Sequence, residues 1–138
     1  MNDFNGVIIL NKPRGSSSHR MVSIARRALD MKKIGHTGTL DPGATGVLPI
    51  LVGTATRASD LLTAQDKRYR ATVLLGTVTD TLDTDGKVIA ENPVNAAEAD
   101  IRRSVSAFVG NIEQLPPMFS AVQVGGQRLY HLARQGIE

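Results

Sequence analysis

The chain has 138 residues, 41% of them hydrophobic but only 4% aromatic, enough for one core filled by aliphatic side chains. It has no cysteine, which excludes disulfides, thiolate metal centres and iron–sulfur chemistry. Net charge is +3 but unevenly spread: residues 1–72 carry eleven Lys/Arg against five Asp/Glu, and residues 73–138 carry five against eight.

A polyanionic partner is therefore expected at the first half, although the charge alone reads equally as ordinary solvated surface. No basic leader precedes an apolar run at the N-terminus, and no stretch approaches about eighteen apolar residues. These features lead to the expectation of a soluble, cytoplasmic protein without a membrane partner.

Gly6 to Leu10 is a β-branched run that reads as a buried strand. Asn11 to Gly15 is a turn, and one serine of Ser16, Ser17 and Ser18 is expected to cap a helix over about His19 to Leu29. That helix puts Met21, Val22, Ala25, Ala28 and Leu29 on one face, with Arg20, Arg26 and Arg27 towards solvent. Lys33 to Leu51 is punctuated by four glycines and two prolines, and a turn-rich stretch of this length in a compact domain is functional or disordered. Its hydrophobic exit, Val47 to Val52, argues against disorder and reads as a strand, at an edge or bulged because of Pro49. In its middle stands one carboxylate, Asp41, stiffened by Pro42 into an extended presentation. Alone, an Asp-Pro pair is more often a plain turn.

Ala55 to Thr63 is expected to be a short helix burying Leu61 and Leu62, and Lys67 to Leu75 a strand. In the latter, Lys67, Arg68 and Arg70 flank Tyr69; cations beside an aromatic ring suit RNA, the ring stacking on a base while the cations neutralise phosphate. Without context, an amphipathic edge tyrosine explains the pattern as well. Asp80, Asp83 and Asp85 lack the spacing of a calcium loop, so no metal site is read there. Lys87 to Ala90 reads as a short strand. Asn95 to Glu98 reads as a capping box opening a helix in which Ile101, Val105 and Phe108 share a face, ended by Gly110. Gln114 to Val122 is an extended Pro-Pro segment entering a strand, Gly125-Gly126 is a turn, and Arg128 to Gly136 is a short helix.

Gly35-His36-Thr37-Gly38-Thr39-Leu40-Asp41-Pro42, followed by Ala44-Thr45-Gly46-Val47-Leu48, resembles the signature of the TruB family of tRNA pseudouridine synthases. Further motifs in the family's order resemble it too: Lys-Pro-x-Gly-x-Ser-Ser from Lys12, Lys-x-Tyr-x-Ala around Tyr69, the Thr-Asp-Thr segment at Asp80, Gln-x-Pro-Pro from Gln114 and Arg-x-Tyr-x-x-Ala-Arg-x-Gly from Arg128. Together they cover essentially the whole chain.

The resemblance implies an α+β fold, a mixed, largely antiparallel sheet flanked by helices, with Asp41 in a central cleft as the catalytic residue. It implies that Tyr69 stacks on the target uracil and that His36 occupies the space a flipped-out base leaves. Lys12 is expected in a structural role or at the edge of the site, and Thr39, Leu40 and Arg70 beside the RNA substrate. No cofactor or metal is implied, because the isomerisation involves no redox or phosphoryl transfer. The implied partner is the T-stem-loop of tRNA, at uridine 55, with no obligate protein partner.

Family members are about twice this long. Residues 1–138 are thus expected to be the N-terminal portion of one catalytic domain, without the later arginine that pairs with the catalytic aspartate and without the RNA-binding extension. The alternative is a non-catalytic RNA-binding or tRNA-folding fragment. A phosphate-cradling enzyme is disfavoured, since the Gly-rich loop lacks both the Gly-Lys-[Ser/Thr] ending and the Gly-x-Gly-x-x-Gly spacing. The compact motif spacing resembles the stand-alone bacterial enzymes more than their guide-RNA-dependent relatives.

Overall fold

The computed structural model describes residues 2–120 and 122–137, so Ala121 of the Pro-Pro motif and the terminal Glu138 lie outside the described residues. Two compact units divide the chain, Met1–Arg70 and Ala71–Glu138. The α+β class is as expected, with small antiparallel sheets and helices.

The first unit contains β1 (Gly6–Lys12), α1 (Ser18–Leu29), β2 (Ile34–His36), β3 (Gly46–Val52), a 3₁₀ segment (Gly53–Ala58) and α2 (Ser59–Thr63). The sheet order is β1-β3-β2, antiparallel throughout, with Lys12 opposite Gly46 and His36 opposite Ile50. Alternation along β3 sends Leu48, Ile50 and Val52 to one face, where they meet Ile34 and Met31 and the α1 residues Met21 and Val22. Leu10, Ala25 and Leu29 pack on the margin of this core, whereas Ala28, expected on the same face of α1, is exposed. The apolar arc of α1 is thus narrower than its sequence suggests.

Two strand assignments exchange places. The Gly6–Leu10 run, expected to be buried, belongs to an edge strand and leaves Val7, Ile8 and Ile9 exposed. The strand containing Pro49, expected at an edge or bulged, is central and pairs with β1 in unbroken register. Proline is tolerated because the Pro49 carbonyl accepts from the Thr37 amide at 3.1 Å on the β2 side. Its nitrogen faces the same side, past the last paired residue of β2, so no ladder bond is lost.

Leu61 and Leu62, expected to be buried, are exposed, Leu61 at 69%. The residues before them wind as 3₁₀ rather than α-helix, and the four of these within the expected helix, at about 120° instead of about 100° each, rotate the following face by roughly 80°. The expected strand from Lys67 to Leu75 is irregular as far as Leu74, and Tyr69, Val73 and Leu74 are exposed. A β-prone run forms a strand only where another strand offers a ladder, and among the described residues none lies beside it.

The second unit contains β4 (Thr77–Thr79), β5 (Val88–Glu91), α3 (Glu98–Ser106), β6 (Gln123–Val124), β7 (Gln127–Arg128) and α4 (Leu129–Arg134). β4 pairs with β5, and β6 with β7 through Gly125 and Gly126, both at positive φ as the tight turn demands. The capping box is shifted two residues from its expected place. Ala97 is the N-cap, and the Asp100 carboxylate accepts from its amide at 3.2 Å; alanine cannot return the bond, so half of a capping box remains. Helix α3 also ends before Phe108, which together with Ile101 and Val105 lines an open apolar groove with Val73, Leu75, Val78 and Val94.

Candidate active site

Lys12 ends β1 and is fully buried. A buried ammonium is costly unless its three donors are met. Here Nζ donates to the carbonyls of Ser16 at 2.7 Å and Pro13 at 3.1 Å, and reaches that of Pro42 at 3.5 Å. The ammonium is thus spent on backbone carbonyls, first those of its own turn and then, at the limit of reach, that of Pro42 in the loop carrying Asp41.

That loop, residues 37–45, leaves β2 and returns as β3. The Gly15 amide donates to the Pro42 carbonyl at 2.8 Å, and the Ala44 amide closes a turn on the Asp41 carbonyl at 3.0 Å. The Ser18 hydroxyl accepts from the Leu40 amide at 2.9 Å and donates to the Leu40 carbonyl at 3.1 Å. The Lys-Pro-x-Gly-x-Ser-Ser motif and the aspartate loop are thereby stapled at several points. Asp41 itself is exposed rather than sunk in a cleft within this unit, and the ion pairs found among the described residues lie elsewhere, on α3.

His36 is half-buried at the end of β2, with Nδ1 2.6 Å from the Gly38 carbonyl. A carbonyl only accepts, so Nδ1 carries the proton in this contact. The Ser59 hydroxyl reaches the His36 carbonyl at 3.5 Å. Thr39 is exposed, and Leu40 packs against the core. The structure thus gathers Lys12, His36, Thr39, Leu40 and Asp41 around one end of the sheet. Tyr69 and Arg70 are exposed on irregular chain.

Sequence reasoning missed Ser18 and Arg26. Three serines in a row disclose only that one can cap, and Ser17 does, accepting from the Arg20 amide at 3.2 Å. Arg26, expected to face solvent, donates to the Ile34 carbonyl at 2.9 Å and ties α1 to β2. The Asp80–Asp85 segment is a self-bonded loop. The Thr81 hydroxyl and then the Asp85 amide donate to the Asp83 carboxylate and hold its pKa below the ordinary 3.8, while Asp80 accepts from the Lys87 amide. No cluster of three metal-ligating side chains occurs among the described residues. Nor is any helix there long and apolar enough to cross a membrane.

The fold resembles that of a chain in the crystal structure of a Cbf5-Nop10-Gar1 complex, with a TM-score of 0.58 and 31% identity over 86% of this chain and 31% of that one. The family model described as TruB family pseudouridylate synthase (N terminal domain) matches residues 26–138. The chain belongs to that family. It is 52% identical over 136 residues to the tRNA pseudouridine synthase B of Geobacillus kaustophilus, covering 97% of this chain and 48% of the relative. To the enzymes of the same name from Symbiobacterium thermophilum and Alkaliphilus oremlandii it is 51% and 48% identical, over 99% and 97% of this chain and 46% and 45% of theirs. The chain thus spans just under half the length of these curated relatives.

Proposed function

We propose that these residues form the aspartate-bearing part of a tRNA pseudouridine synthase, which isomerises the T-loop uridine at position 55. One observation carries the reading: a lone exposed carboxylate, Asp41, rides on a loop whose backbone is bonded on both sides to the Lys12–Ser18 segment. The relatives' name supports action on tRNA.

The reaction breaks the N1–C1′ bond, turns the uracil and joins C5 to C1′; the C5 proton leaves and N1 gains one, so the product is an isomer. An ionised carboxylate beside the sugar and base serves as nucleophile or base. The target must leave the base stack to reach it. In this reading His36, with its ring fixed by Gly38, fills the vacated space, Tyr69 stacks on the extruded uracil, and Thr39, Leu40 and Arg70 flank the RNA.

The test is tritium release from a T-stem-loop labelled at uracil C5, by a full-length synthase carrying these residues. Asp41→Asn is expected to abolish release, and near-normal turnover in that variant would refute the assignment. For Tyr69, alanine is expected to lower turnover more than phenylalanine, which keeps the stacking face; the reverse order removes the stacking role. The 138-residue chain by itself separates catalysis from recognition: RNA binding without release would mark a recognising fragment.

A further inference from the structure

Ser16, Ser17 and Ser18 are chemically identical neighbours with three different tasks. Ser16 offers its carbonyl to Lys12, and Ser17 caps α1. Ser18 is 2% exposed and does neither. Its single hydroxyl accepts from the Leu40 amide and donates to the Leu40 carbonyl, meeting both backbone groups of one residue 22 positions away.

The Leu40 carbonyl belongs to the planar peptide unit that leads into Asp41, so fixing that oxygen fixes the plane from which Asp41 departs. On the far side, the Asp41 carbonyl is tied by Ala44 and the Pro42 carbonyl by Gly15, and proline restricts the intervening torsion. What stays free is the Asp41 side chain.

We propose that Ser18 is a positioning residue for the Asp41 carboxylate, acting through the Leu40–Asp41 peptide. The proposal rests on the reading of Asp41 as the reacting group. Catalysis is sensitive to such placement, since a shift of about 1 Å in a reacting group costs about a hundredfold in rate.

The test reads the loop first, in the 138-residue chain. Ser18→Ala raises amide hydrogen exchange at Leu40 by about fivefold or more, the loss of one hydrogen bond, while the Ile50 and Leu51 amides of the core are unchanged. Ser18→Thr, which keeps the hydroxyl, restores the protection. Turnover is then read in the full-length synthase: kcat falls about ten- to a hundredfold in Ser18→Ala, KM for the T-stem-loop stays within about threefold, and Ser18→Thr recovers most of the rate. Unchanged Leu40 exchange, or a rate loss that threonine does not recover, overturns the proposal. Where Ser18→Ala does not fold, Ser18→Cys carries the same comparison, because it keeps the volume but donates weakly. The two readings fail separately: full turnover in Asp41→Asn removes the reacting carboxylate, while Leu40 exchange still reports whether Ser18 holds the loop.

Discussion

Gly15 donates its amide to the carbonyl of Pro42 at 2.8 Å, joining the turn after β1 to the residue that follows Asp41. Gly15 makes that approach at φ +79°, and a Cβ there would meet nothing within 4 Å. Gly15→Ala is therefore expected to cost about 1–2 kcal/mol through backbone strain alone, without a clash. Urea unfolding of the two proteins measures it.

Lys12→Met keeps the buried stem and removes the ammonium, leaving the carbonyls of Ser16 and Pro13 without their donor. An orphaned buried acceptor costs about 1–3 kcal/mol, so a loss of at least about 2 kcal/mol is expected in the same unfolding measurement. A change below about 0.5 kcal/mol would mean that the lysine is not the anchor its burial indicates.

Asp41→Asn should separate stability from chemistry. The side chain is exposed and its isostere keeps the size, so stability is expected to stay within about 0.5 kcal/mol. Turnover by a full-length synthase is expected to fall by about a thousandfold or more, as when a reacting group is removed.

Ile50 is completely buried in the central strand, whereas Leu61 is exposed on α2. Ile50→Ala is expected to destabilise by about 2–5 kcal/mol, and Leu61→Ala by less than about 0.5 kcal/mol. Thermal melts of both variants check the contrast, and equal costs would contradict the packing described for α2.

Asp83 binds its proton less readily folded than unfolded, because Thr81 and the Asp85 amide donate to the charged form. A depressed folded pKa stabilises the loop above the unfolded value of 3.8 and loses that contribution as pH falls through the folded one. An NMR pH titration should place the Asp83 carboxyl midpoint below 3.8, and Thr81→Ala should move it upward.

Much of this fold was legible because its signals are local. A serine cap before α1, the amphipathic arc over Met21, Val22 and Ala25, and the Gly125-Gly126 turn each declare themselves within a few residues. Neighbour relations were not. The pattern of Gly6–Leu10 says strand, but which strand β3 recruits on its other side depends on where residues 37–45 return the chain. Lys67–Leu75 carries β propensity without a ladder beside it, and propensity yields to that lack. At the site, Asp41 stood out through its Gly/Pro surroundings and its motif, while the Ser18 clamp spans 22 residues and leaves no mark in either segment alone.

The pairing of Lys12 with Gly46 places the last residue of β1 opposite the first of β3, so both loops of the site spring from one rung of the ladder. A two-residue slip of β1 against β3 would keep every side chain on its face, yet carry Lys12 about 7 Å along the strand and out of reach of Pro42. Leu10, Leu48 and Ile50, which pack on the core face, thus serve as a ruler: the register they hold sets the address of the carboxylate.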